Sequence, residues 1–246
     1  MTPKERIEKI KLWISEYCSN QYRKPQSLVI GVSGGIDSSV TSTLCAMTGI
    51  KTIAVVMPIR QNNAQHELSI QHQSWLEKKF ENVEKSNTPL DDVFEKFQEA
   101  LRGYKNNLGF ANSRARLRMT TLYQIAQYSN GIVVGTGNKI EDFGVGFFTK
   151  YGDGGVDISP IADCTKTQVW DMGKELGILQ SIIDAPPTDG LWDDGRNDKD
   201  QMGMSYKQLE EAMKNPKSSN HQKYLELREM NLHKMLPIPT CKMEDN

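Results

Sequence analysis

The sequence predicts an α/β protein with a doubly wound parallel sheet flanked by helices. Three short apolar runs rich in β-branched residues are typical of buried parallel strands: residues 27–32 (SLVIGV), 52–57 (TIAVVM) and 131–135 (GIVVG). Helical patterns separate these runs, and the first run leads through a glycine-rich turn into a helix. The alternation of strands and helices predicts a single domain over residues 1–246.

The remaining elements follow in chain order. An amphipathic helix is predicted up to about Tyr17, before Pro25, and a fourth, short strand at residues 81–85. Further helices are predicted at residues 39–47, 66–80, 90–101, 112–128, 166–176, 205–213 and 221–235. Residues 143–155 and 186–202 are rich in glycine or proline, so both are predicted as loops. The second is long enough to be a functional lid.

The composition is ordinary for a globular protein, with 37% hydrophobic residues, 25% charged residues and a net charge of −1. A near-neutral chain does not point to nucleic acid as a partner, and no apolar run approaches the roughly 18 residues of a membrane span. We therefore expect a cytoplasmic protein with neither kind of partner. The four cysteines lie far apart in the sequence, which favours reduced thiols over a zinc site.

The turn after the first strand carries the most information. Its sequence, Ser33-Gly-Gly-Ile-Asp-Ser38, has glycines that let backbone approach a ligand and a following helix whose first amides attract anions. An acidic residue in an anion site, here Asp37, is explained when a magnesium ion lies between the carboxylate and a phosphate. The plain alternative is a strand-to-helix turn with a Ser or Asp cap.

Three later stretches also have an unusual composition for connectors. Arg114, Arg116 and Arg118 are two residues apart on one predicted helix and point in different directions, so at least one is expected to face a ligand. Residues 135–138 (GTGN) follow a strand, where α/β folds place ligand loops. Residues 146–157 (GFFTKYGDGGVD) combine aromatic rings, a lysine and two aspartates among glycines, which suits a flat ring and a phosphate.

These motifs resemble those of known enzymes. The string SGGIDS at residues 33–38 resembles the pyrophosphate loop of the N-type ATP pyrophosphatases, which cleave ATP to AMP and pyrophosphate and have the adenine nucleotide alpha hydrolase-like fold. Within that group, residues 147–157 resemble the FFTKYGDGG-x-D signature of NAD synthetases, and residues 112–118 resemble their NxxARxR element. Pro187-Thr188 and His233-Lys234 are similar to two weaker elements of that family. The resemblance spans roughly residues 5–240.

The resemblance implies a magnesium-dependent ligase in a homodimer, which amidates deamido-NAD with ammonia and ATP through an acyl adenylate, giving NAD, AMP and pyrophosphate. The implied ATP contacts are Gly31, Val32, Ser33, Gly34, Gly35, Ile36, Asp37, Ser38, Thr136, Lys166 and Thr188. The implied deamido-NAD contacts are Arg116, Lys150, Asp157, His233 and Lys234, with the last two reaching across the dimer interface. Asp37 and Glu141 are the implied metal ligands; Asp157, Lys150 and Lys166 are the implied catalytic residues.

Several alternatives stay open at this point. The chain is one residue longer than the usual family spacing between Thr136 and Lys150, so Asp142 competes with Glu141 for the metal role. Either Asp153 or Asp157 is a candidate to accept a proton from ammonium. Only about 30 residues precede the ATP loop, so no glutaminase domain is expected. The nitrogen source is then free ammonia or ammonia from a separate subunit, and free ammonia is favoured.

Two other functions are weighed against the ligase. A tRNA-thiolating ATP pyrophosphatase would need catalytic cysteines and a basic surface. A non-catalytic nucleotide sensor would need the turn at residues 33–38 but not residues 147–157.

Overall fold

A parallel sheet forms the centre of the computed structural model, which describes residues 1–188 and 201–243. Within these ranges the strand order is β3-β2-β1-β4, and every pairing is parallel. A single bridge between Val134 and Ile158 extends the β4 edge. The strands are β1 Ser27–Gly31, β2 Lys51–Val56, β3 Val83–Asn87 and β4 Gly131–Val134.

Helices cover both faces of this sheet. The side chains of Leu28 and Ile30 pack against α1, α2 and α6, whereas Val29 between them packs on the opposite face with Phe94 of α4 and Ala126 of α5. Because a parallel strand is buried on both faces, it reads as a continuous apolar run, which is why the sequence predicted it. The helices are α1 Pro3–Asn20, α2 Ile36–Met47, α3 Asn63–Lys79, α4 Asp91–Ala100, α5 Asn107–Tyr128, α6 Lys166–Leu176, α7 Gln180–Ile183, α8 Tyr206–Lys214 and α9 His221–Met235.

The predicted α/β class and doubly wound sheet are confirmed, and element ends differ from prediction where caps decide them. Helix α2 begins at Ile36 because Gly35 adopts the extended N-cap conformation. Helix α5 begins five residues earlier than predicted, since the Asn106 side chain accepts a hydrogen bond from the Gly109 amide at 2.7 Å. The predicted loop at 143–155 begins inside a π-helical turn, Glu141–Val145.

The strand order places β1 between β2 and β4. The chain therefore adds β2 and β3 on one side of β1 and later adds β4 on the other side. In open α/β sheets, ligands bind in the crevice at such a switch point, outside the carboxyl ends of the strands. Residues 33–38 follow β1 and residues 135–138 follow β4, which brings the two predicted ligand loops side by side. Most of the predicted lid at 186–202 lies outside the described residues.

Among the described residues, no helix combines the length and apolar character that crossing a membrane requires. None of the four cysteines forms a disulfide; Cys18, Cys45 and Cys164 are buried and Cys241 is exposed.

Candidate functional site

A cavity of about 450 Å³ opens at the carboxyl ends of β1 and β4. Its volume lies within the range of small-molecule sites, roughly 300–1,000 Å³. The helices α2, α3, α5 and α6 and the segment after α7 form its walls. Every residue predicted to contact ATP lies in this wall: Gly31, Val32, Ser33, Gly34, Gly35, Ile36, Asp37, Ser38, Thr136, Lys166 and Thr188.

The turn at residues 33–38 is held in a fixed shape at the floor of the cavity. Gly34 has a φ of +84°, and a Cβ at this position would lie 2.7 Å from the Gln65 carbonyl oxygen, so the turn packs directly on the backbone of α3. The Ser38 hydroxyl donates to the Gly35 carbonyl at 3.0 Å and accepts from the Ser33 amide at 3.2 Å. The plain capping alternative is not what is seen, because Gly35 is the cap residue and its cap has no side-chain hydrogen bond.

A buried lysine lies between two carboxylates in the same cavity. Lys166 is 2% exposed, and its Nζ atom donates to Glu141 Oε1 at 2.8 Å and to Asp37 Oδ2. The Asn138 amide bridges the other two oxygens, at 2.7 Å from Glu141 Oε2 and 3.3 Å from Asp37 Oδ1. Thus the residues predicted as metal ligands and the predicted catalytic Lys166 form one hydrogen-bonded group, although Lys166 is 129 residues from Asp37.

Burial and charge shift the ionisation of this group. Burial raises the pKa of the Asp37 carboxyl; the Lys166 ammonium opposes this rise and the Glu141 carboxylate adds to it. Burial alone would lower the pKa of Lys166, but Asp37 and Glu141 outweigh it and raise that pKa above its usual range. Lys166 is therefore a permanent cation in a site with an excess of acidic groups.

Asp142, the alternative metal ligand, also lines this cavity. Its carboxylate packs so closely on Gly137 that a Cβ there would overlap it. Burial raises the pKa of Asp142 well above its usual range, and the carboxylates of Asp153, Glu141 and Asp37 raise it further. A cation would relieve this repulsion, and hard oxygen ligands suit Mg²⁺.

Over residues 1–188 and 201–243, no group of three or more His, Cys, Asp or Glu side chains is arranged to hold a metal ion. This arrangement still fits magnesium, because Mg²⁺ is usually bound through one or two carboxylates together with substrate phosphates and water. Asp37 and Glu141 supply two such carboxylates on the wall of one cavity.

The predicted deamido-NAD contacts lie outside the wall of the large cavity, at its border. The Arg116 Nε atom donates to the Lys150 carbonyl at 3.3 Å, and Lys150 Nζ donates to the His233 carbonyl at 3.0 Å, so these three residues form one surface chain. Lys234 Nζ donates to the carbonyls of Gly146 and Phe148, both at 2.9 Å. Burial lowers the pKa of Lys234, and it lines a second cavity of about 140 Å³.

The two cavities are adjacent, because Asp142 and Asp153 belong to the walls of both. Asp157 lines neither. Its oxygens accept hydrogen bonds from the Val133 amide at 2.7 Å and the Tyr123 hydroxyl at 3.0 Å, so it ties the loop to β4 and α5. Burial, and after it Asp157, raises the pKa of Tyr123 to about 12.

The three arginines of α5 separate as the helical spacing predicted. Arg118 lines the large cavity, Arg114 is buried with its guanidinium 4.9 Å from the centre of the Phe94 ring, and Arg116 is exposed. The sequence predicted Arg116 as the ligand contact and gave no role to Arg118. Asn138 was predicted only as part of the ligand loop after β4, and its hydrogen bonds to Asp37 and Glu141 were not predicted.

The parallel sheet flanked by helices is the fold of the N-type ATP pyrophosphatases, and its cavity lies at the carboxyl ends of the strands. The family model for NAD synthase matches residues 6–241. Among curated relatives, the NH(3)-dependent NAD(+) synthetase of Carboxydothermus hydrogenoformans is 36% identical over 207 residues, which is 84% of this chain and 83% of that one. That of Alkaliphilus metalliredigens is 36% identical over 217 residues, 85% of each chain. The chain belongs to the NAD synthase family.

Solved structures agree with this assignment. The NMN synthetase from Francisella tularensis has a TM-score of 0.89 and 32% identity, covering 99% of this chain and 100% of that one. The NH3-dependent NAD synthetase from Campylobacter jejuni has a TM-score of 0.77 and 24% identity, covering 98% and 100%, a likeness that concerns the fold. The predicted family, its fold and its class, ligases that form carbon–nitrogen bonds, are confirmed.

Proposed function

We propose that the chain amidates deamido-NAD with ammonia and ATP, giving NAD, AMP and pyrophosphate. The observation that carries this proposal is the group formed by Lys166, Asp37 and Glu141 in the wall of the large cavity. The chain belongs to the NAD synthase family. A buried cation beside a glycine-rich turn at a helix N-terminus is suited to binding the phosphates of ATP, which supports the proposal.

Activation of the carboxylate is the first chemical requirement. A carboxylate is a poor electrophile, and its attack on the α-phosphorus of ATP would form an acyl adenylate and release pyrophosphate. The amides of residues 33–38 would hold the pyrophosphate, and the Lys166 ammonium would stabilise charge on the phosphate oxygens. Magnesium, held by Asp37 and Glu141 together with the phosphates, would supply additional charge neutralisation. Much of the rate enhancement is expected to come from holding the two substrates together.

Ammonia would then attack the acyl carbon and displace AMP. Arg116, Lys150, His233 and Lys234 are proposed to bind the acceptor, because they form a largely basic border directly beside the ATP cavity. Ammonium must lose a proton before it attacks. Asp153 is favoured over Asp157 for accepting it, since Asp153 lines both cavities whereas the Asp157 oxygens are already bonded to Tyr123 and Val133.

This assignment has a direct test. Asp157→Asn that keeps the full amidation rate at saturating acceptor would exclude a proton-accepting role for Asp157. A rate lost in Asp153→Asn but not in Asp157→Asn would support Asp153.

The same proposal includes four further features of the protein: a homodimer, a single domain over residues 1–246, a cytoplasmic location, and free ammonia as the nitrogen source. One contact bears on the dimer: Lys150 Nζ reaches the His233 carbonyl within one chain, so the loop and α9 are joined without a partner subunit. Light scattering on the purified chain, with an expected mass of twice 27.8 kDa, tests the dimer.

The mononucleotide of nicotinic acid is a second candidate acceptor. The likeness to the Francisella tularensis NMN synthetase, with its TM-score of 0.89 over nearly the whole of both chains, exceeds the 0.77 found for the Campylobacter jejuni NAD synthetase. Amidation of the mononucleotide uses the same ATP chemistry and differs only in the acceptor, so the large cavity serves both reactions equally. In that case the product would be NMN.

One assay separates these possibilities. Purified protein with ATP, magnesium and ammonium is given either deamido-NAD or nicotinic acid mononucleotide, and AMP and the amide product are quantified. The proposal predicts stoichiometric AMP and NAD with a higher kcat/KM for the dinucleotide; a higher kcat/KM for the mononucleotide would favour the second candidate. AMP without either amide would indicate another ATP pyrophosphatase, and no AMP a nucleotide sensor. A glutamine-only reaction tests the nitrogen source.

A further inference from the structure

Helix α8 contacts residues of the proposed ATP site through two side chains that are one helical turn apart and do not line the cavity. Tyr206 and Glu210 are separated by four residues and therefore lie on the same face of the helix. Both are almost fully buried, at 8% and 9% exposure, and neither lines the cavity. They touch the two partners whose spacing sets the site, Glu141 and the start of α6.

Tyr206 acts on the carboxylate. Its hydroxyl donates to Glu141 Oε1, the oxygen that also accepts from Lys166 Nζ, while Asn138 holds the other oxygen, Oε2. The Tyr206 ring also lies beneath the lysine, with Nζ 4.9 Å from the ring centre. The Trp170 ring packs edge-on against it at 5.8 Å. Tyr206 thus fixes both the carboxylate and the approach of the ammonium.

Glu210 acts on the backbone that carries the lysine. Its Oε1 atom accepts from the Thr167 amide and the Thr167 hydroxyl, both at 2.9 Å. Thr167 is the second residue of α6, and Lys166 is the first. The first amides of a helix lack partners within it, and a carboxylate there is favoured by the helix dipole as well. The position of the Lys166 Cα is therefore tied to α8.

We propose that Tyr206 and Glu210 are positioning residues for the Lys166–Glu141 pair in the reaction proposed above. Tyr206 orients the Glu141 carboxylate and the Lys166 ammonium, and Glu210 anchors the first turn of α6. Because the pair acts on ATP phosphates as charge develops, loosening it lowers kcat more than it raises the KM for ATP. The inference rests on the proposed ligase function. The activity of the wild-type protein in the same assay distinguishes a failure of that function from a failure of the positioning role.

The test compares two identical substitutions in one hydrophobic cluster. Tyr206→Phe removes the hydroxyl that bonds Glu141. Tyr224→Phe is the matched control, since Tyr224 is 7% exposed in the same cluster and its hydroxyl forms no hydrogen bond within the described part of the chain. A hydrogen bond to a charged group is worth enough to expect a kcat about 10-fold lower in Tyr206→Phe, with the KM for ATP within about 2-fold of wild type. Tyr224→Phe is expected to keep the wild-type kcat.

Glu210 provides the second arm. Glu210→Gln keeps an oxygen acceptor for Thr167, whereas Glu210→Ala removes it, so the glutamine variant should retain several-fold more kcat than the alanine variant. Melting temperatures are measured for all variants. Equal kcat in Tyr206→Phe and Tyr224→Phe overturns the role of Tyr206. A loss in Glu210→Ala confined to melting temperature overturns that of Glu210. If Glu210→Ala does not fold, the Tyr206→Phe comparison decides alone. An inactive wild type would refute the ligase function instead.

Discussion

Removing the Lys166 ammonium should both destabilise the fold and stop the reaction. Lys166→Met keeps an unbranched side chain but leaves Asp37 and Glu141 facing each other in a buried site, where the lysine is 2% exposed and 2.8 Å from Glu141 Oε1. Breaking a buried ion pair by removing one partner costs about 3–5 kcal/mol. At about 2–4 °C for each kcal/mol in a chain of this size, the melting temperature should fall by roughly 6–20 °C at pH 7.

The loss of stability caused by Lys166→Met should be smaller at pH 5 than at pH 7. The pKa of Asp37 is raised to about 6 in the folded protein by burial, against the pull of Lys166, and without the lysine it rises further. A folded-state pKa above the unfolded value means that the folded protein binds the proton more tightly, so lowering the pH from 7 to 5 stabilises the variant. Calorimetry at the two pH values measures this recovery, relative to wild type.

Lys51→Met is the control for loss of a lysine. Its Nζ lies 2.7 Å from Glu84 Oε2, but the two side chains are 52% and 57% exposed, and such surface pairs contribute about 0–1 kcal/mol. AMP formation by Lys166→Met, measured below its melting temperature, should fall by about 100-fold or more. Equal melting temperatures of the two variants at pH 7, or full activity in Lys166→Met, would refute the reasoning.

Two further predictions concern the turn after β1 and a buried histidine. Gly34→Ala should be much more destabilising than Gly49→Ala and should weaken ATP binding at least about 10-fold. Both glycines have positive φ, but a Cβ at Gly34 would lie 2.7 Å from the Gln65 carbonyl oxygen, whereas a Cβ at Gly49 would have no atom within 4 Å. Denaturant unfolding measures the stability of the two variants, and titration calorimetry measures their ATP binding. Equal stabilities of the two variants would contradict this prediction. Burial lowers the pKa of His72 to about 4, so the unfolded chain takes up the proton first and stability should fall by up to roughly 3 kcal/mol between pH 6.5 and 4. His72→Gln should abolish this part of the pH dependence and His233→Gln, at an exposed position, should not; identical profiles would exclude His72 as the cause.

The sequence predicted the features that depend on local pattern. Parallel strands buried on both faces must be apolar throughout, so β1, β2 and β4 were recognisable from their residues alone. Strand β3, Val83–Asn87, is polar at most positions, and its predicted bounds were two residues too early. The turn at residues 33–38 was also predictable, because its glycines and its place between a strand and a helix are local features of the sequence.

Contacts that arise from the topology of the fold could not be predicted from local sequence patterns. Nothing in the residues around Lys166 indicates that its ammonium lies between Asp37 and Glu141, and only the resemblance to a family singled it out. Tyr206 and Glu210 carried no signal at all, since a polar residue every fourth position is typical of many surface helices. Their burial follows from where α8 packs, which depends on contacts between elements distant in sequence.

The separation of the two groups of predicted contacts has a functional consequence. All contacts predicted for ATP lie in one cavity built on the sheet, whereas four of the five predicted for the acceptor come from α5, residues 146–157 and α9 at its border, and Asp157 braces that loop. In the proposed reaction, activation of the carboxylate would therefore depend on residues in the core of the fold. The choice between a mononucleotide and a dinucleotide acceptor would depend on the border residues, which lie outside the wall of that cavity. This division explains how one fold, with TM-scores of 0.89 and 0.77 to an NMN synthetase and an NAD synthetase, is compatible with either acceptor.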